Sequence, residues 1–106
     1  MELKDFEYYV NSENYRNRFF GEYWQTKIRY EKLKAFNNKI EAAILTETEE
    51  PKHDCPLALL KQQQKAMGEY LHILELRAEI ENINLKIKTG ILKYDEKNEE
   101  VMYYEK

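Results

Sequence analysis

The stretch "CPLALLKQQQKAMGEYLHILELRAEIENINLKIK", residues 55–88, most constrains what this chain can fold into. Wound as a helix at about 100° per residue, it places Leu60, Met67, Leu71, Leu74, Ala78 and Leu85 on one face. Leu76, Ile80, Ile83 and Ile87 fall on the opposite face, with Ile73 at its edge. A helix that is apolar on two faces must be covered on both. In a chain of 106 residues little is available to do this. One face falls to the rest of the chain, and the other to the chain ends or a second copy.

Upstream, "NSENYRNRFFGEYWQTKIRYEKLKAFNNKIEAAIL" predicts a helix over residues 11–45. Asn11 would cap it, and Val10 would staple onto Tyr15. Phe19, Tyr23, Thr26, Tyr30, Leu33, Ile40 and Ile44 draw one stripe at alternating three- and four-residue steps, interrupted by the polar Asn37. Gly21 costs about 1 kcal/mol against Ala in a helix interior, so it marks close packing or a bend. The acid-rich run before Pro51 and Pro56 breaks the pattern and predicts a loop over 46–55. Pro56 suits the first turn of the next helix, with Cys55 or Asp54 as its cap. That helix would span 56–89 and end on Gly90, with Lys86 and Lys88 at its negative end.

The expected fold is therefore all-α. It is an antiparallel hairpin of two long helices in one domain, with short terminal elements at 1–10 and 90–106, assembling into an oligomeric helical bundle. Only three glycines and two prolines among 35% charged residues favour helix over turn-rich sheet. The aromatic-rich "MELKDFEYYV" would form a short helix or strand against the hairpin. The tail admits a β-hairpin turning at 95–98 or a short helical turn.

The same sequence excludes several function classes. A net charge of −3 argues against a general nucleic-acid binder. No apolar run reaches the ~18 residues of a membrane span, and "MELKDFEYY" carries no leader pattern. A single cysteine fits a reducing cytoplasm. The sequence holds neither a Gly-rich phosphate loop nor a nucleophile elbow. Cys55 beside His53 reads as a helix-start residue rather than a nucleophile. Glu69 and His72 form one Glu-x-x-His pair, which is read as a surface pair and not a metal site. No enzyme, metal or cofactor is expected.

The cluster "NYRNRFFGEYW" interleaves Tyr15, Phe19, Phe20, Tyr23 and Trp24 with Arg16 and Arg18. Residues 12–44 hold seven basic and four acidic side chains, a local excess of three positive charges in an acidic protein. Aromatic faces can stack a base, and guanidinium groups can pair a phosphate. The same residue types also build cores and protein interfaces. Arg77, near the apolar seam of the second helix, needs an anionic partner, whether an intramolecular Glu or a ligand phosphate. The candidate ligand contacts are Tyr15, Arg16, Arg18, Tyr23, Trp24 and Arg77. The candidate oligomer interface is Leu76, Ile80, Ile83 and Ile87.

Leu59, Leu60, Gln63, Met67, Tyr70, Leu74 and Arg77, at helical spacing, resemble the second-helix signature of small helical proteins of phages and prophages. These include a crAss-like phage gene family. The resemblance covers about thirty residues closely and "YRNRFFGEYWQTKIRYEKLKAF" more loosely. It implies a phage origin and a small helical binder; the function expected of such an accessory protein is to counteract host antiviral defence without catalysis, in the cytoplasm of the bacterial host. One mechanism is sequestration of a nucleotide immune signal, cyclic or derived from ADP-ribose, by a homo-oligomer. The alternatives are a protein–protein inhibitor of a host defence complex, in the manner of anti-CRISPR proteins, and a structural coiled coil of the phage.

Overall fold

The computed structural model describes residues 2–86 and two short strands, β1 (Leu92–Asp95) and β2 (Glu100–Tyr103). A 3₁₀ turn (Leu3–Phe6) leads into a short helix α1 (Glu7–Val10). Two long helices follow, α2 (Tyr15–Leu45) and α3 (Leu57–Glu81); α3 packs against α2, and α2 also takes the contacts of α1 and the 3₁₀ turn. The strands pair antiparallel, Leu92 opposite Tyr103 and Asp95 opposite Glu100. The turn expected between them falls on residues outside the described ones.

Helix α2 starts later than its apolar pattern implies. Asn11 closes α1 instead. Asn14 caps α2, its Oδ1 accepting from the Asn17 backbone N–H at 3.1 Å. Ser12 Oγ in turn accepts from the Asn14 N–H at 3.1 Å, so the short link between the helices keeps its donors paired. Pro56, rather than Cys55 or Asp54, takes the cap position of α3, without a side-chain cap.

Helix α3 ends eight residues before the expected Gly90 cap, at Asn82. Asn82 adopts the left-handed conformation (φ 57°, ψ 44°), and the Ile83 N–H returns to the Ala78 carbonyl at 2.8 Å. This is a Schellman closure, and asparagine is among the few residues other than glycine that enter it readily. The closure turns Ile83 into the core beside Ala78, where it is 8% exposed. Burial of one isoleucine thus overrides a helical pattern that continues on paper through residue 88.

Helix α2 has two buried faces. Phe19 and Tyr23 pack with Leu71, Leu74, Ala78 and Ile83. Phe20 packs with Phe6 and Tyr9 of the N-terminal segment, flanked by Trp24 and Ile28. Gly21 permits this second contact, because a Cβ there would lie 2.8 Å from the Val10 backbone nitrogen. The N-terminal segment therefore covers α2, not α3. Contacts between α2 and α3 step in opposite senses: Tyr23 bonds Glu75, Asn37 bonds Gln64, and Glu41 pairs with Lys61. Asn37 is buried in this contact and donates to Gln64 Oε1 at 3.0 Å, while its Oδ1 is buried without a partner. The outer face of α3 stays uncovered, with Leu59, Ile73, Leu76 and Ile80 exposed.

Candidate functional site

The start of α2 and the end of α3 meet in a knot of polar groups. Tyr15, the first residue of α2, donates its hydroxyl to Glu81 Oε1 at 2.8 Å. Arg77, one turn before Glu81, donates to the Tyr15 hydroxyl at 2.7 Å and to Glu81 Oε2 at 3.3 Å. Its guanidinium lies 5.2 Å from the centre of the Phe19 ring, which Tyr15 meets edge-on. Arg16 donates to the carbonyls of Glu81 and Asn82 at the end of α3, where helical carbonyls lack intrahelical donors. Arg18 ties the preceding link, donating to the carbonyls of Ser12 (3.0 Å) and Glu13 (2.7 Å).

Beside the knot opens a cleft of about 240 Å³, lined by Tyr15, Arg18, Phe19, Glu22, Tyr70 and Arg77 among others. Tyr70 donates to Glu22 at its wall (3.0 Å). The cleft thus gathers two tyrosines, two guanidinium groups and the Glu22 carboxylate, while the Phe19 ring is buried in the core and covered by Arg77. Such a set can stack a flat ring and bind an anion. The hydrogen bond from Tyr15 holds the Glu81 carboxyl below its usual range, and Glu81 raises both Tyr15 and Arg77. Burial, followed by the bond to Glu22, raises Tyr70.

Tyr23 and Trp24 belong to a different place. Tyr23 is buried and donates to Glu75 Oε2 at 2.6 Å. Its phenol is pushed well above the ordinary range, by burial first and by Glu75 second. Trp24 donates to the Leu85 carbonyl at 2.8 Å and stacks on Phe6 with ring centres 6.2 Å apart. These two side chains anchor the segment after α3, and the cleft they line with Ile83 and Leu85 is separate from that of Arg77. So Tyr15, Arg16, Arg18 and Arg77 come together, while Tyr23 and Trp24 serve the core.

Of the residues expected to face another subunit, Leu76 and Ile80 are exposed and Ile83 is buried in the chain's own core. Ile87 lies outside the described residues. Glu81, Glu22 and Phe19 are site residues that the sequence did not mark as such. The spacing of Arg77 and Glu81, four apart on a helix, is the one signal that could have found Glu81. His53 addresses the Cys55 carbonyl at 2.7 Å and Glu50 at 3.0 Å, so its ring is not aimed at the thiol. Among the described residues no group of three or more His, Cys, Asp or Glu could hold a metal, and no helix is long and apolar enough to cross a membrane.

The class the fold defines is a small protein of long packed helices, with an aromatic and guanidinium cleft where the start of α2 meets the end of α3. The model of the Sequestin family matches residues 13–80, nearly two thirds of the chain, and the chain belongs to that family. The match spans Tyr15, Arg16, Arg18, Phe19 and Arg77 of the polar knot and stops just short of Glu81 and Asn82. No curated protein and no solved structure matches the chain.

Proposed function

We propose that the chain is a non-enzymatic phage protein that counteracts host antiviral defence by sequestering a nucleotide-type immune signal, cyclic or ADP-ribose-derived. The family name speaks of sequestration, and the match covers the cleft-forming ends of both long helices. The observation that carries the reading is the Arg77 guanidinium, layered on Phe19 and hydrogen-bonded to Tyr15 at the edge of the cleft. A phosphate entering there would take the donors that Glu81 now holds, and a base would find the faces of Tyr15 and Tyr70. Arg16 and Arg18 contribute positive charge and hold the cleft's rim to the backbone. Tyr23 and Trp24 support the fold beneath and do not touch the ligand. The protein acts as an oligomer of α-hairpins in the bacterial cytoplasm.

The test is calorimetric titration of the purified protein with a panel of cyclic dinucleotides, cyclic ADP-ribose isomers and linear ADP-ribose. At least one should bind tightly, and Arg77→Ala should weaken it by roughly 10- to 100-fold, as loss of a charged hydrogen-bond donor does. Silence across the whole panel would refute the nucleotide reading.

A further inference from the structure

The side chains that the rest of the molecule leaves uncovered on α3 follow a pattern. Leu59, Ala66, Ile73 and Ile80 recur every seven residues and all are exposed. Gln62, Glu69 and Leu76 fill the intermediate positions of the same repeat, also exposed. Leu71, Leu74 and Ala78, which face α2, lie on the other side of the helix. A strict seven-residue repeat drifts slowly round a helix of 3.6 residues per turn, and such a stripe is matched by another helix in a left-handed supercoil.

We infer that this stripe pairs with the same stripe of a second copy, the two α3 helices running in opposite directions, and that the pairing completes the Tyr15–Arg77 cleft. The last point rests on the cleft being the ligand site proposed above. The stripe runs about 31 Å, six turns of helix. With roughly 150–250 Å² on a large side chain, the exposed fractions of Leu59 (54%), Tyr70 (41%), Ile73 (52%) and Leu76 (51%) amount to about 350 Å² per copy. A symmetrical pair then buries about 700 Å² from these residues, and the exposed Gln62, Lys65, Ala66 and Glu69 between them bring it toward the roughly 1,000 Å² where specific interfaces begin.

Charge chooses the direction. In a parallel, in-register pair Glu69 would face its own counterpart across the seam, like charge against like. Reversing one helix so that Leu59 meets Leu76 of the second copy sets Glu69 against Ala66 and beside Lys65 of that copy. The two-fold axis repeats the attraction. The same register brings Gln63 of the second copy beside Tyr70, on the flank of the stripe that carries Arg77. At about 240 Å³ the cleft of one copy falls below the roughly 300–1,000 Å³ of small-molecule sites. A second copy supplies the missing wall.

The experiment is light scattering of the full chain without ligand, with melting followed by circular dichroism. Wild type should have at least twice the mass of one chain, and Ile73→Glu/Leu76→Glu should reduce it to a single chain that still melts cooperatively, since both side chains are exposed within one copy. Lys65→Glu should weaken association about tenfold or more, and adding Glu69→Lys should restore it. A monomeric wild type, or a mass unchanged by the double substitution, would overturn the pairing. Failure of the charge swap to restore association would overturn the antiparallel direction. None of these readouts involves a nucleotide, so the pairing can fail while the sequestration reading stands, and the reverse.

Discussion

Two regions of this molecule are built from the same kinds of residue and do different work. Around Tyr23 and Trp24, the Trp24 ring stacks on Phe6 and meets Tyr23 edge-on, and each polar tip is spent on one internal partner, Glu75 or the Leu85 carbonyl. Around Tyr15 and Arg77, the rings stand at the surface and the polar groups share Glu81 among themselves. The first arrangement is closed, because each donor is buried with a partner it cannot exchange without leaving an unpaired group. The second is open, because water or a ligand can replace Glu81 at small cost. Residue type alone does not tell a structural aromatic cluster from a binding one. The depth of the hydrogen bonds does.

The largest effect separating the regions should come from the buried one. Phe20→Ala empties a site that is 1% exposed and should cost about 3–5 kcal/mol in a denaturant titration. If the cost were under about 1 kcal/mol, the N-terminal segment would not be packed on α2 as described. Arg77→Ala should leave stability nearly unchanged, since its ion pair is exposed, while weakening ligand binding by roughly 10- to 100-fold. A large loss of stability would move Arg77 to the structural side of the comparison.

Alkaline titration sharpens the contrast further. The Tyr23 phenol is raised above its ordinary 10.0 by burial and then by Glu75, so the neutral form is the one the fold retains. Its contribution is fully present below pH 10 and is lost as pH rises through the folded-state value. Tyr23→Phe should therefore flatten the decline in stability above about pH 10, as read by melting across pH. If the decline were unchanged, Tyr23 would not be the buried group that titrates. The smallest effect is expected at Asn37. Asn37→Leu removes a buried carbonyl without a partner and loses the bond to Gln64, leaving stability within about 1 kcal/mol of wild type. A fall of more than about 2 kcal/mol would show that the Asn37–Gln64 bond holds the two helices in register.

Much of the helical framework was legible because it depends on local pattern. The three- and four-residue spacing of Phe19, Tyr23 and Tyr30, and of Leu71, Leu74 and Ala78, marks helix faces directly. The end of α3 was not legible, because Asn82 stops the helix only in conjunction with the burial of Ile83, a tertiary contact. The division of the aromatic cluster was hidden for a related reason. Phe19 and Phe20, or Tyr23 and Trp24, are neighbours in sequence but about 100° apart on the helix, and nothing local states that the N-terminal segment will cover the second face. The site itself was half visible. Arg77 and Glu81 are four residues apart and announce each other, whereas the bond of Tyr15 to Glu81 joins positions 66 apart.

The comparison stands or falls on which tyrosine a ligand senses. We would take the nucleotide that most raises the wild-type melting temperature and titrate it by calorimetry into Tyr15→Phe and Tyr23→Phe in parallel. The account predicts weakened binding in Tyr15→Phe, by about tenfold for a lost hydrogen bond, and unchanged binding in Tyr23→Phe. Full affinity in Tyr15→Phe together with a loss in Tyr23→Phe would contradict it and place the site at the buried end.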